Sequence, residues 1–404
     1  MTDLIIEQAR AYFDALVKSR FIEMFGTSTR NEKQWPTEKM KEVAPAIQSD
    51  NLPKSEGNWL LNLDAIQSNS GQILFKNRVS EAELNGSIMT FSSDHILYSK
   101  LRPYLNKVVV PDESGFGTTE LIPLLPNKAK LTRTYLAYLL RSDAFVSKFS
   151  SAVAGTKMPR VSMDVFWKFD VPLPPMNLQK EFGSFVNQID KSKVIFEKEV
   201  ARYDDLIKSR FIEMFGPYFD DDKCSSLGSL CDTFVDGDWI ESKDQDESGI
   251  RLIQTGNIGI GTYLNKVERA RFINEDTFVR LNCTEVFPGD VLISRLPDPL
   301  ARSCIVPEGL GKTITGVDCT IIRFGKKINP VFFNQYTLID HYLSQITTFE
   351  AGSTRKRISR KNLGKIKIPV PPIDLQNKFT SFVEQVDKSK LMLFESLKNI
   401  APNN

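Results

Sequence analysis

From Leu178 to Met214 the apolar residues recur at Phe182, Phe185, Ile189, Phe196, Val200, Tyr203, Ile207 and Phe211, with polar residues between them. Steps of mostly three, four or seven form the stripe of a helix packed lengthwise on another helix. The spacing predicts a helix over 176–216. Pro174 and Pro175 end the extended segment before it, Asn177 is the expected N-cap, and Gly216-Pro217 is the expected stop. About 38 residues rising 1.5 Å each make a rod of about 57 Å. The pattern returns at Phe379, Phe382, Val386, Leu393 and Leu397, behind Pro371, Pro372 and a matching N-cap, Asp374. A helix is therefore expected over 373–404, with the central helix as its antiparallel partner. A shorter helix over 1–26 closes at Gly26.

Between these helices the period changes. Short apolar runs such as VVV (108–110), DVLIS (290–294) and TIIRF (320–324), broken by Gly, Pro and Asn, read as strands. Two longer stretches, TRTYLAYLLRSDAFVSKF (132–149) and NPVFFNQYTLIDHYLSQI (329–346), read as helical. Segments 27–175 and 217–372 are thus expected to be mixed α/β domains of about 150 residues each.

Self-similarity organises these elements. KSRFIEMFG occurs at 18–26 and again at 208–216. VPLPPMNLQKEFGSFVNQIDKSK (171–193) matches IPVPPIDLQNKFTSFVEQVDKSK (368–390), and AGTKMPRVS (154–162) aligns with AGSTRKRIS (351–359). Read as a circle, the chain is two copies of one unit, a pseudo-twofold cyclic repeat. Segments 1–17 and 391–404 both align with 194–207, so the spacing leaves open which of them docks on the central helix. The intervening blocks differ strongly, which suits one scaffold carrying two different recognition surfaces.

Composition narrows the partner. With 404 residues, 41% hydrophobic and 25% charged, the chain has the make-up of a globular protein. A net charge of +2 means that an anionic partner has to be met by local patches. No apolar run approaches the ~18–20 residues that span a bilayer. Asp3 and Glu7 interrupt the N-terminal apolar stretch, which makes a poor signal peptide. Five cysteines (Cys224, Cys231, Cys283, Cys304, Cys319), an odd number without a C-x-x-C pair, read as reduced thiols in the cytoplasm.

Catalytic motifs are incomplete. GLGKT (309–313) has Val306 where a phosphate loop needs Gly, and reads as a polar turn; GNIGIG (256–261) reads as a turn between strands. NPVF (329–332) lacks the second Pro of an amino-methyltransferase tetrapeptide, and Asn329 reads as a helix cap. Neither Pro111-Asp112 nor Pro297-Asp298 is followed by the acid-x-Lys of a metal-dependent nuclease. His95 and His341 are the only histidines, too few for a zinc site with these cysteines. The chain is expected to be non-catalytic, with no metal site.

Binding residues are easier to find. STRKRISRKNLGKIK (353–367) holds Arg355, Lys356, Arg357, Arg360, Lys361, Lys365 and Lys367 with no acid. A Lys/Arg run is often only a solvated face, but the first copy carries Lys157 and Arg160 at corresponding sites. This favours contact with DNA phosphates and guanine edges. A second pair, SSDHILYSKLRPYLNKVVVP (92–111) and PGDVLISRLPDPLARSCIVP (288–307), places Lys100 and Arg295 at strand ends, followed by Arg102 and Arg302 out of register. Asp94 and Asp290 are expected to shape the preceding turns.

These residues resemble a known family. VPLPPMNLQ and IPVPPIDLQ resemble the mark between target recognition domain and conserved helix in type I restriction–modification specificity subunits. GDVLISR and SDHILYSKLRPYL are similar to the family's domain-core signature, and KSRFIEMFG to the end of its conserved helix. The chain departs in having Leu178 and Leu375 where an acid usually precedes Gln, and Ser93 where Gly precedes Asp. The resemblance implies an α+β fold in which two mixed α/β target recognition domains are separated by long antiparallel coiled-coil helices. Each domain would read one half of a bipartite, asymmetric double-stranded DNA site, with the helices setting the spacer. Two methyltransferase (modification) subunits and two restriction/translocase subunits are the implied partners. S-adenosylmethionine, ATP and Mg are implied on those partners and none on this chain. The alternatives are the recognition subunit of another methylation-based defence system, or a coiled-coil adaptor with two protein-binding domains.

Overall fold

The computed structural model describes residues 2–50, 57–84, 87–151, 153–154, 158–297, 299–348 and 357–400. It divides into two compact units, Ala9–Ile195, and Met1–Gln8 with Phe196–Asn404. The fold is mixed helix and sheet with a long central helix, Met176–Phe215, whose 40 residues span about 60 Å. The other long helices are Thr2–Phe25 and Ile373–Ile400. Among the described residues no helix is long and apolar enough to cross a membrane.

In the first unit the N-terminal helix buries Phe13, Val17, Phe21 and Phe25, one residue per turn. Phe21 and Phe25 each meet Phe182 edge-on with centroids 5.5 Å apart, and Phe25 meets Tyr135 at 4.8 Å. Arg20 pairs with Glu181 and Lys193 with Asp14, so the two helices run antiparallel. In the second unit Phe211 and Phe215 meet Phe379 at 5.2 and 5.4 Å, and Phe196 meets Phe394 at 6.2 Å. That is the expected antiparallel pairing of central and C-terminal helices. Within its unit the N-terminal helix from Ala9 onward packs on the first half of the central helix, the C-terminal helix packs on the second half within the other, and Met1–Gln8 group with that second unit.

The caps of both helices that follow the Pro-Pro segments lie earlier than expected. Gln179 N–H donates to the carbonyl of Pro175 and Gln376 N–H to that of Pro372, each at 3.2 Å. The second proline is therefore the N-cap, and Asn177 and Asp374 lie inside the first turn. Gly26 ends the first helix in the left-handed conformation, φ +78°, its N–H on the Ile22 carbonyl. Gly216 instead enters a 3-10 turn, Gly216–Tyr218.

Each stretch read as one helix is two. Arg133–Arg141 and Asp143–Ser151 break at Ser142, whose extended backbone lets its hydroxyl accept from Phe145 N–H. Pro330–Tyr336 and Asp340–Thr347 break before the extended Ile339.

The two α/β blocks share a strand plan despite their different sequences. In the first unit Ile96–Ser99 lies between Val108–Val109 and Leu121–Leu124, all antiparallel. In the second, Val291–Ser294 lies between Ser303–Ile305 and Cys319–Phe324 in the same way. Asn58–Leu61 pairs parallel with Gly115–Thr118, as Ile250–Ile253 does with Thr313–Thr315. A two-stranded ribbon joins each block's entry to its exit, Thr37–Lys39 with Asp170–Pro172 and Cys224–Ser226 with Lys367–Pro369.

Candidate nucleic-acid interface

Where strand Ile96–Ser99 ends, the chain turns and its cations follow. Ser99 Oγ donates to the Leu101 carbonyl at 3.1 Å, and Arg102 takes a left-handed conformation, φ +50°, and is exposed. Three backbone bonds fix the neighbours. Lys100 N–H donates to the Glu120 carbonyl at 3.0 Å, Lys100 O accepts from Val161 N–H at 2.9 Å, and Arg102 N–H donates to Pro159 O at 2.8 Å. Arg160 is thereby set against Glu120, with Nη2 2.7 Å from Oε1 and Nε 3.2 Å from both carboxylate oxygens. The bonds from Arg160 hold the Glu120 carboxyl below its usual range, with the charges of Arg160 and Lys100 helping and burial opposing. Arg160 is raised in return, chiefly by the same hydrogen bonds.

The second unit repeats this node with different side chains. Ser294 Oγ donates to Leu296 O at 3.1 Å, Arg295 N–H to Asp318 O at 2.8 Å, and Ile358 N–H to Arg295 O at 3.2 Å. Arg357 Nη2 sits 2.8 Å from Asp318 Oδ1, as Arg160 sits on Glu120. Another acid and two more arginines enlarge the node. Asp236 Oδ1 lies 3.3 Å from Arg295 Nε, and Asp236 Oδ2 lies 3.9 Å from Arg360 Nε. Arg295 is buried and also donates to the Val317 carbonyl. Burial is the main cause of its depressed pKa; the Asp236 and Asp318 charges oppose, and Arg357 and Arg360 add to the depression. Arg357, Arg360, Lys361, Lys365 and Lys367 are exposed. Arg360–Leu363 is a short helix capped by Ser359, whose hydroxyl accepts from Asn362 N–H.

The structure thus brings Lys100 and Arg160 together in one unit, with Arg102 close in the chain, and Arg295, Arg357 and Arg360 in the other, followed by Lys361. Lys157, Arg355 and Lys356 lie outside the described residues. Arg302 serves the loops around it: its guanidinium donates to the carbonyls of Thr255, Ile258, Leu296 and Pro299. The expected pair of turn-shaping aspartates needs a one-residue shift. Asp290, buried, accepts from Phe287 N–H at 2.9 Å, and in the first unit His95 takes that place, its Nδ1 accepting from Ser92 N–H at 3.0 Å. Asp94 lies at the surface, paired with Lys128.

Three acids, Glu120, Asp236 and Asp318, belong to the nodes and escape a search for cations. The only sequence signal for Glu120 and Asp318 is position, since each immediately precedes an equivalent strand. Also unforeseen is a 440 Å³ cleft lined by Gln254, Asn257, Lys266, Arg269 and Arg271. Its three cations fall within one short stretch, 266–271, where the acidic Glu268 interrupts the basic run.

The incomplete motifs have structural duties. In GLGKT, Gly309 and Gly311 are left-handed, Lys312 pairs with Glu275, and Thr313 is buried in a strand. Asn329 caps its helix by accepting from Val331 and Phe332 N–H. Asp112 pairs with Lys76. His95 Nε2 bonds to the Ile47 carbonyl, which leaves both ring nitrogens engaged.

A family model described as type I restriction modification DNA specificity domain matches residues 32–202 and 221–400. The chain is 20% identical over 302 residues to the type I restriction enzyme MjaVIII specificity subunit of Methanocaldococcus jannaschii, covering 68% of each chain. It is 26% identical over 154 residues to the type I restriction enzyme EcoDI specificity subunit of Escherichia coli, 37% of this chain and 34% of that one. A solved chain from work on complex assembly and conformational transition of the type I R-M system aligns at 18% identity and TM-score 0.48, covering 91% of this chain and 93% of that one.

Proposed function

Since the chain belongs to the type I restriction–modification DNA specificity family, with two copies of its domain, we propose that its two recognition blocks each read one half of a bipartite, asymmetric DNA site. The observation that carries this reading is the repeated node. Two blocks of divergent sequence present an acid-held arginine at the same strand-end edge, Arg160 on Glu120 and Arg357 on Asp318. Around it the side chains differ, with Lys100 in one block and Arg295, Arg360 and Asp236 in the other. One scaffold with two unlike cationic edges suits two unlike half-sites.

On this reading the chain is the non-catalytic member of its complex and works in the cytoplasm. Two modification subunits dock on the helices, two restriction/translocase subunits join them, and S-adenosylmethionine, ATP and Mg belong to those partners. The helices set the unspecified spacer, since half-sites one DNA turn apart need readers about 34–36 Å apart. The test is to purify the chain with its modification partner, methylate random DNA and sequence the modified positions. An interrupted, non-palindromic motif is expected. A symmetric palindrome, or methylation without sequence preference, would sink the reading.

A further inference from the structure

We propose that Glu120 and Asp318 are positioning residues for DNA reading, each holding one arginine, Arg160 or Arg357, so that the outer edge of its guanidinium is presented to a base pair. This rests on the DNA-reading function proposed for the two blocks. Glu120 takes one edge of Arg160, Nε and Nη2, at 2.7–3.2 Å. Of the five guanidinium N–H donors this leaves the Nη1 side, whose approach to the Met158 carbonyl is long, at 3.5 Å. That remaining fork has the geometry that pairs with guanine O6 and N7. The Glu120 contacts hold the side chain and a backbone bridge to Leu101 holds the chain beneath it, which lowers the ordering cost of binding.

Asp318 holds Arg357 with Oδ1 2.8 Å from Nη2, and its own backbone carbonyl is tied to Arg295 N–H. The two pairs use different acids on an equivalent backbone frame, in blocks that otherwise diverge. Both arginines stay accessible, with 42% and 48% of their side-chain surface exposed, while their acids are more covered at 23% and 33%. An ion pair this exposed contributes little to folding stability, so stability alone is a weak reason for its recurrence. The Glu120 carboxyl, held low by Arg160, keeps its charge near neutral pH and so keeps its grip.

The experiment uses the whole chain with its modification partner and DNA carrying the methylated motif. Affinity is measured for the intact site and for sites with one base pair changed in either half. Glu120→Gln should lose about tenfold in discrimination within one half-site only, and Asp318→Asn likewise within the other. Each effect should vanish in an Arg160→Ala or Arg357→Ala background respectively. Tighter binding by the acid variants would mean that the acids mask the arginines, and unchanged discrimination would mean a purely structural pair; either overturns the proposal. Because the pairs lie in separate blocks, a variant that fails to fold leaves the other to decide. A wild-type complex with no sequence preference would instead overturn the DNA-reading function itself.

Discussion

Gln179, wholly buried in the first turn of the central helix, accepts a hydrogen bond from the backbone N–H of Thr132 at 2.8 Å. Its amide nitrogen donates to the carbonyls of Lys130 and Pro174, each at 2.9 Å. Gln376 repeats all three bonds, with Asn329 N–H, Lys327 O and Pro371 O. The Gln of each Pro-Pro motif thus ties a long helix to the start of the domain helix beside it. Thr132 and Asn329 are themselves N-caps, so the side chain completes a junction of two helix starts.

Replacing Gln179 or Gln376 by Leu leaves one backbone N–H and two carbonyls buried without these partners. Each change should cost about 1–3 kcal/mol. Chemical denaturation gives the total, and hydrogen exchange assigns it: Thr132 should lose protection in one variant and Asn329 in the other. Loss of less than about 0.5 kcal/mol would mean that water replaces the amide.

That junction shows where sequence reasoning stops. The motif is visible as a repeat, and helical periodicity places the three long helices, because a stripe of Phe and Val is a local signal; residues 401–404 of the expected C-terminal helix lie outside the described residues. The partner of each Gln lies 47 residues upstream, so nothing local reveals why Gln stands there. The common strand plan is hidden for the same reason. Ile250–Ile253 and Thr313–Thr315 pair across a long separation, and their first-block equivalents share shape rather than side chains. The nodes are half legible. Arginines stand out in a basic run, but Glu120 and Asp318 gain meaning only when strand pairing brings them to Arg160 and Arg357.

His341 gives the second unit a pH dependence. Its ring stacks on Phe219 with centroids 4.5 Å apart, and its Nδ1 lies 2.7 Å from the Tyr336 hydroxyl. Burial pushes its pKa below the ordinary 6.5, with the charge of Asp221 opposing. The unfolded chain therefore takes up its proton first as pH falls. The contribution to stability is full above about 6.5 and is lost as pH drops through the lower folded-state value. Melting curves from about pH 7.5 to about pH 5 should show this loss in the wild type and less of it in His341→Gln. Identical acid limbs would show that the imidazole is not the titrating group.

Charge removal tests the second node directly. Arg357, Arg360 and Lys361 changed together to Ala should weaken binding to any duplex. The slope of log affinity against log salt should also flatten, by about 0.9 for each phosphate no longer neutralised. Asp236 and Asp318 already engage two of these arginines, so a change well under the three-phosphate maximum of about 2.7 is expected. An unaltered affinity and slope would mark the run as a solvated face.

The identity of KSRFIEMFG in both copies asks for more than packing. Phe21 and Phe25, like Phe211 and Phe215, fill equivalent junctions, which accounts for the two aromatics. It does not account for Ile22 and Ile212, which are 54% and 53% exposed beside the exposed Glu23 and Glu213. Two copies of one partner, the modification subunit, would need two copies of one face. Ile22→Asp or Ile212→Asp should leave stability within about 0.5 kcal/mol, since neither side chain is core. On the proposed two-subunit stoichiometry, each single change should leave one bound modification subunit and the double change none, because a carboxylate buried in an interface goes unpaired. Mass measurement of the purified complexes reads this stoichiometry. A double variant that still carries two modification subunits would place the docking surface elsewhere and leave the repeated isoleucine without a structural reason.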